Sequence, residues 1–477
     1  MGKNRFCGGK LLPILYCALV LGICLIPLAG MLFWPTMRTT ENTELAKWPA
    51  LTGEDGVNMD FLQEAGEYFT DHFAFRQELV TADARIRSAV FGTSPVDSVI
   101  VGKNGWLYYE ATLDDFQHNH SLSDRMLFNI AHNLALMQEY ARSLGQTFVF
   151  TIAPNKNSLY GENMPARYQY RIAEESDAER LVPWLEQEGV SYVDLYALFE
   201  GQEETLYYAR DSHWNQKGAA LVTDALLQAC GRKDPGYAAS SLGETREYLG
   251  DLNLMVYPVG AQPEKEVLYA PEGGWTYLQG DDVEDDYIQT ASEAGSQNLL
   301  MYRDSFGNSL LPFFAREFKQ ATFSKFVPYP MTDLITAESD VVILEKVERH
   351  LPTLGSVPPL MSAPQRKLPG SGEKTESDTT LHLQKEGSYW RFSGVADSRY
   401  MRDDSPILLE ITDGAQTRVF EAFCVQLTEK GEKNDYGFTL YLPMDQAVGT
   451  EFEVKVLTGS EGDVRILYEG KTGESGR

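Results

Sequence analysis

Cysteine is scarce, with 5 in 477 residues, and so is histidine, with 7. Cys7, Cys17 and Cys24 lie beside or inside the first apolar stretch, leaving Cys230 and Cys424 about 190 residues apart. Neither has a CxxC partner or metal-ligand spacing, so structural zinc is disfavoured and a disulfide is not expected. Positive charge is also in short supply. Against 69 acidic residues stand 41 Lys and Arg, a net charge of -28. A general nucleic-acid binder needs clustered cations to neutralise phosphates, and none is expected here. With 43% hydrophobic and 23% charged residues, the chain is neither disordered nor fibrous. Its length suits two or three domains.

Only one long uncharged run is present, the 24 residues from Leu11 to Trp34. As a helix it would reach about 36 Å, enough to cross a bilayer. Lys3, Arg5 and Lys10 precede it and no acidic residue comes before Glu41, so the positive-inside rule predicts a cytoplasmic N-terminus and a single-pass anchor in the plasma membrane. A cleaved signal peptide is the alternative. The run is longer than a usual signal core and continues past Leu28-Ala29-Gly30 into Met31-Leu32-Phe33. The expected layout is a cytoplasmic tip and anchor over 1–36, with a polar tether over 37–60.

Residues 61–351 read as an α/β domain. Phe61 to Phe91 carries apolar residues at helical spacing, and the Asn104-Gly105 turn introduces a strand. Ser123 and Gly145 bracket a helix, followed by the β-branched run Thr147 to Ala153. Strands and helices then alternate up to Asp340–Leu344, the pattern of a parallel sheet with helices on both faces. Ligands of such sheets bind beyond the carboxyl ends of the strands. Residues 233–297, with the acidic run Asp281 to Asp286, read as a surface excursion. Residues 352–380 have the Pro, Gly and Ser content of a linker. The seven short β-rich segments of 381–477 predict a β-sandwich accessory domain.

Two segments carry chemistry. In Asp211-Ser212-His213-Trp214-Asn215, a carboxylate two residues before a histidine can fix the ring's tautomer, as a general base requires; a structural His near a helix start would look similar. In Tyr302-Arg303-Asp304-Ser305-Phe306-Gly307-Asn308-Ser309, an apolar strand turns sharply into a helix. A serine there has its hydroxyl at the sheet edge with helix-terminal N–H groups nearby, which suits an acyl-transfer nucleophile, although a helix N-cap uses serine in the same way. The order along the chain is Asp, His, Ser. A metal site from Asp211, His213 and Asp304 is the other mechanism, but no further His cluster completes a ligand shell. No metal or cofactor is expected.

The motifs YFTDHFAFR, GKNGWLYY, RDSHWN and YRDSFGNS, in that order over about residues 60 to 350, resemble the DHHW family and are similar to the alginate O-acetyltransferases of the SGNH hydrolase superfamily. The resemblance implies an SGNH-like fold with permuted motif order, Ser305 as nucleophile, His213 as base and Asp211 as its orienting carboxylate. The usual Gly-Asp-Ser reads Arg303-Asp304-Ser305 here, which puts a bulky cation where clearance is expected. For oxyanion or substrate contacts the candidates are Asn155, Lys156 and Asn157, with Asn308, Arg303 and Trp214. Tyr207, Tyr208 and Trp106 are candidates for stacking on sugar rings. Asp71-His72 reads as a structural pair, and Glu345 and Glu348 as a charged turn. The expected function is an extracytoplasmic carbohydrate O-acetyltransferase or acetylesterase acting on an envelope or exopolysaccharide glycan. If it is a transferase, the resemblance suggests a multispanning membrane acyltransferase as donor. A noncatalytic scaffold or glycan-binding protein is the second reading.

Overall fold

The computed structural model describes residues 8–31, 33, 45–53, 56–119, 122–233, 235–368, 370, 372–414, 416–429, 431–460 and 463–473. Lys3, Arg5, Cys7 and Glu41, and with them most of the reading of the tip and tether, lie outside the described residues. Helix Gly8–Gly30 covers the apolar run. Among the described residues it is the one helix long and apolar enough to cross a membrane, by length and composition.

The centre is a seven-stranded sheet in the order Tyr192–Val193, Thr147–Ala153, Val341–Val347, Asn298–Tyr302, Gln320–Ser324, Tyr287–Ala291 and Thr276–Gln279. The first five strands are parallel, and the last two join antiparallel at one edge. These two edge strands come from the segment read as a surface excursion. Tyr287–Ala291 alternates buried and half-buried side chains and is part of the sheet rather than a cover over it.

The runs Thr147–Ala153 and Val341–Val347 are buried almost throughout, as strands covered on both faces must be. On one face pack Gln216–Ala229 and Leu311–Glu317, with Val149, Met301, Phe306, Phe314 and Ile343 in their core. On the other pack Asp124–Ser143 and Asp177–Gln187, with Leu134, Phe150, Leu181, Leu300 and Leu344. Ser123 caps the first of these helices by accepting from the Met126 N–H, and Gly145, at φ 78°, turns the chain out of it. The fold is a mixed α/β domain followed by a strand-rich C-terminal region.

That region comprises a six-stranded and a four-stranded sheet around a shared core of Trp390, Phe392, Ile407, Leu409, Phe438 and Phe452. The described part of the Pro-rich stretch ahead of it carries structure. Helix Leu351–Ser356 buries Leu351 and Leu354, and Gln365–Arg366 pairs with strand Thr417–Glu421. Cys230 and Cys424 are buried free thiols.

Candidate active site

Ser305 opens the short helical turn Ser305–Asn308 directly after strand Asn298–Tyr302, at the carboxyl edge of the sheet. Asp304 shapes this turn. Its Oδ1 accepts from the Phe306 N–H at 3.0 Å and its Oδ2 from the Val347 N–H at 2.8 Å, locking the turn to the neighbouring strand. Gly307 is needed for packing: a Cβ there would lie 2.7 Å from Cβ of Arg303.

The Asp211–His213 segment sits on a tight loop closed by a bridge between Tyr207 and Trp214. His213 Nε2 lies 2.9 Å from Ser305 Oγ, and its Nδ1 lies 2.7 Å from Asp211 Oδ1. Asp211 is buried and fully engaged. Its Oδ1 also accepts from the His213 N–H at 2.8 Å, and its Oδ2 accepts from Tyr248 Oη at 2.8 Å and the Asp251 N–H at 2.9 Å. Burial opposes charge on Asp211, but the bonds to His213 outweigh it and hold the carboxyl well below its usual range. Burial likewise opposes charge on His213, and Asp211 overrides it, so the imidazole titrates above its ordinary value.

Two of these partners were not found from the sequence. Tyr248 and Asp251 come from the 233–297 segment, and no spacing tied them to a loop forty residues earlier. Asp251 accepts from the Ser212 N–H at 2.8 Å and from Ser212 Oγ at 2.5 Å, with Oδ2 3.8 Å from His213 Nδ1. Ligand atoms of Asp211, His213 and Asp251 fall within 4.8 Å of one another. As a metal donor set this trio is a poor fit, since the Asp211 oxygens and the Ser212-facing oxygens of Asp251 are already taken by donors.

The remaining candidates are redistributed. Asn155 and Asn157 are buried, with Nδ2 donating to Asp115 Oδ2 at 2.8 Å and to the Thr112 carbonyl at 3.0 Å. Lys156 is a buried cation rather than a solvated one. Its Nζ donates to the carbonyls of Tyr208 (3.2 Å), Ala209 (3.1 Å) and Asp211 (2.5 Å) and sits over the rings of Trp106 and Tyr108. The GKNGWLYY motif thus forms the hairpin Val99–Val101 with Leu107–Tyr109, which helps wall in the cation clamping the Asp–His loop. Burial lowers the Lys156 pKa to about 8, against the pull of Asp211 and Asp251.

Arg303 is buried. It donates to the carbonyls of Val283 (2.9 Å) and Asp285 (3.1 Å) and to Asn308 Oδ1, which pins the acidic run beside the serine turn. Trp214 is core: Nε1 donates to Ser309 Oγ at 2.5 Å and the indole packs edge-on to Phe306. Tyr207 and Tyr208 are also buried, bonded to Pro154 O and to Glu266, so none of these three offers an open face to a sugar. Trp106 is half-buried against Tyr160. Glu345 and Glu348 are buried, not a solvated turn. Glu345 accepts from the Asp304 N–H at 3.1 Å, and burial together with the Asp304 charge raises its pKa well above the usual range.

Arg349 lies with its guanidinium 5.7 Å over the Phe306 ring, which itself packs on His213 at 4.8 Å. Arg349 also lines a cavity of about 230 Å³, with Asp115, His118, Asp177 and Glu348 among others. Burial and the Glu348 charge raise the Asp115 pKa to about 7. Asp71-His72 lies away from this chemistry: Asp71 Oδ2 accepts from the Ala46 N–H at 2.8 Å, and His72 stacks on Tyr68.

A serine at the carboxyl edge of a parallel sheet, joined through histidine to a buried aspartate that precedes both in the chain, is the arrangement that the resemblance to permuted SGNH-like proteins implies. Residues 99–272 match the family model ALGX, described as SGNH hydrolase-like domain, acetyltransferase AlgX, which bears out the resemblance read from the motifs. Ser305 lies beyond the matched range. PatB1 of Bacillus cereus is similar at 14% identity, covering 53% of this chain and 96% of that one at a TM-score of 0.42. A DHHW family protein from Eubacterium siraeum is similar at 15% identity (54% and 92% covered, TM-score 0.42), as is the O-acetyltransferase domain of Pseudomonas putida AlgJ at 19% (53% and 92%, TM-score 0.36). No curated protein matches the chain.

Proposed function

We propose that this chain is a membrane-anchored, extracytoplasmic O-acetyltransferase or acetylesterase of a cell-envelope or exopolysaccharide glycan, working through Ser305, His213 and Asp211. The observation that carries the reading is the unbroken series Ser305 Oγ, His213 Nε2, His213 Nδ1, Asp211 Oδ1, with separations of 2.9 and 2.7 Å. His213 takes the proton from Ser305 as its oxygen attacks the acetyl carbonyl. It returns the proton to the leaving oxygen as the tetrahedral adduct collapses to an acetyl-serine. A sugar hydroxyl, deprotonated by the same imidazole, then takes the acetyl group; with water in its place the product is acetate.

The Asp211 carboxylate holds Nδ1 protonated, which leaves Nε2 as the base. For the oxyanion, the Ser305 N–H carries no acceptor among the described residues, whereas those of Phe306 and Gly307 are bonded to Asp304. The apolar helix Gly8–Gly30 supports the anchor, and an extracytoplasmic transferase needs a donor delivered through the membrane, for which a multispanning acyltransferase is the fitting partner.

Purified protein given a chromogenic acetyl ester, with and without oligosaccharide acceptors, tests the assignment. Ser305→Ala and His213→Ala each lower acetyl release by at least about 10⁴-fold if the two act as a unit. Equal rates in parent and variants would remove it.

A further inference from the structure

We infer that helix Arg76–Phe91 lies on the membrane surface, with its outer face buried among phospholipid acyl chains where the anchor leaves the bilayer. This rests on the membrane-anchor part of the function proposed above. Helix Arg76–Phe91 turns small residues inward and larger apolar ones outward. The residues it buries are small, Thr81 and Ala84. Of its exposed apolar residues, Phe91 closes the helix on another side, and Leu79, Ile86 and Val90 are 43%, 60% and 67% exposed. Their spacing of seven and four places them on one stripe, opposite Thr81 and Ala84. Arg85 and Arg87 fall on either side of the stripe, with the Arg85 guanidinium donating to the Gly260 carbonyl at 3.1 Å and the stems of both flanking the apolar residues. Asp83, at the edge of the stripe, is paired with Arg87.

The geometry also fixes the occupant. The Ala74 N–H donates to the Pro27 carbonyl at 3.1 Å, and Gly30 packs so closely that a Cβ on it would be 2.8 Å from that of Ala74. The helix therefore starts two residues past this contact with the last turn of the apolar helix, and the stripe at Leu79, with Phe75, also exposed, at the junction. A face tied there meets lipid before any other molecule. The net charge of -28 argues against attraction to anionic headgroups, so the contact is apolar and needs no acidic lipid.

On its inner side the helix packs through Ala84 against Leu252 and Val256. Their helix begins at Asp251, the residue bonded to Ser212 and Asp211. The membrane surface is thus joined to the Ser–His–Asp series by two packed helices, which holds the series at a set height above the bilayer.

The full chain in phosphatidylcholine vesicles doped with a diazirine-bearing phosphatidylcholine tests this by photolabelling and peptide mass spectrometry. Adducts are expected on residues 75–91 as well as 13–30, with strand Glu432–Pro443 unlabelled. In Leu79→Gln/Ile86→Gln/Val90→Gln, whose changes are all exposed, labelling of 75–91 is lost while that of 13–30 and the melting temperature are kept. Adducts confined to 13–30, or unchanged labelling of 75–91 in the triple variant, would overturn the proposal. Absence of adducts on 13–30 as well would instead remove the anchor itself, and the surface contact with it.

Discussion

At the scale of single residues, the proposed mechanism is a contest between burial and charge, and Lys156 decides part of it. His213 is raised by Asp211, so its basic form appears only above the usual imidazole value near 6.5, and acetyl release should climb with pH through that higher range. Lys156 sets the other limb. As its ammonium, with a pKa of about 8, loses its proton, it no longer has three N–H groups for the three carbonyls it clamps. A pH–rate profile is therefore expected to be bell-shaped, rising above pH 6.5 and falling around pH 8. In Lys156→Met the loop loses its clamp at every pH, and kcat should drop by about 10²-fold with the acid limb unmoved. Stopped assays across pH 5 to 9 on both proteins check this. The role of Lys156 was not legible in the sequence, because burial of a lone lysine depends on the Trp106 and Tyr108 rings arriving from another segment. The Asp211–His213 pair and Ser305 were legible, since a two-residue spacing and a strand-to-helix turn are local patterns.

At the scale of elements, the outcome depends on what the 233–297 segment does. Its acidic and glycine-rich composition resembles a solvated loop, yet it supplies Tyr248 and Asp251 to the Asp211 carboxylate and two antiparallel strands to the sheet. Composition reports average polarity, whereas the half-buried alternation of five residues in Tyr287–Ala291 is too short to stand out from its surroundings. Four of the five parallel strands were legible as apolar runs closed by turn residues, whereas Gln320–Ser324, a mixed polar and apolar run of five, was not read as a strand. Tyr248→Phe removes a donor from a buried carboxylate, so Asp211 should hold His213 less firmly. Oδ2 keeps the Asp251 N–H, so a loss of about 1.5 to 3 kcal/mol in folding stability is expected from the one hydrogen bond to a charged group, read by denaturant titration. Arg303, expected to crowd the serine, instead fastens the acidic run to the turn through backbone carbonyls, which a sequence does not display.

At the scale of the whole molecule, the sandwich and the α/β domain share a helix. Asp124–Ser143 buries residues on nearly every side, because the central sheet covers one flank and Phe423, Val425 and Tyr441 of the sandwich lie in the same core. Charge crosses the same boundary. His132, on that helix, has Nδ1 2.9 Å from Glu188 and Nε2 3.4 Å from Glu421 of the sandwich, which also takes Arg366 at 2.6 Å. Although burial opposes it, the two carboxylates raise His132 to about 10. A histidine raised on folding contributes stability that is complete below its unfolded value near 6.5 and is lost as pH rises towards 10. The melting temperature should fall across that window, and His132→Ala should remove this dependence at a cost of about 3 kcal/mol. The β-rich character of 381–477 was legible from its turns, but the interlock was not, because a helix amphipathic towards a sheet gives no sign of a second partner.

The central claim is that Ser305 is a nucleophile made reactive by His213, and a fluorophosphonate tests it at the atom concerned. Incubation with the full chain followed by peptide mass spectrometry should place a single adduct on Ser305, with labelling slowed sharply in His213→Ala and absent in Ser305→Ala. A folded parent protein that stays unlabelled, or one labelled equally in His213→Ala, would contradict the account.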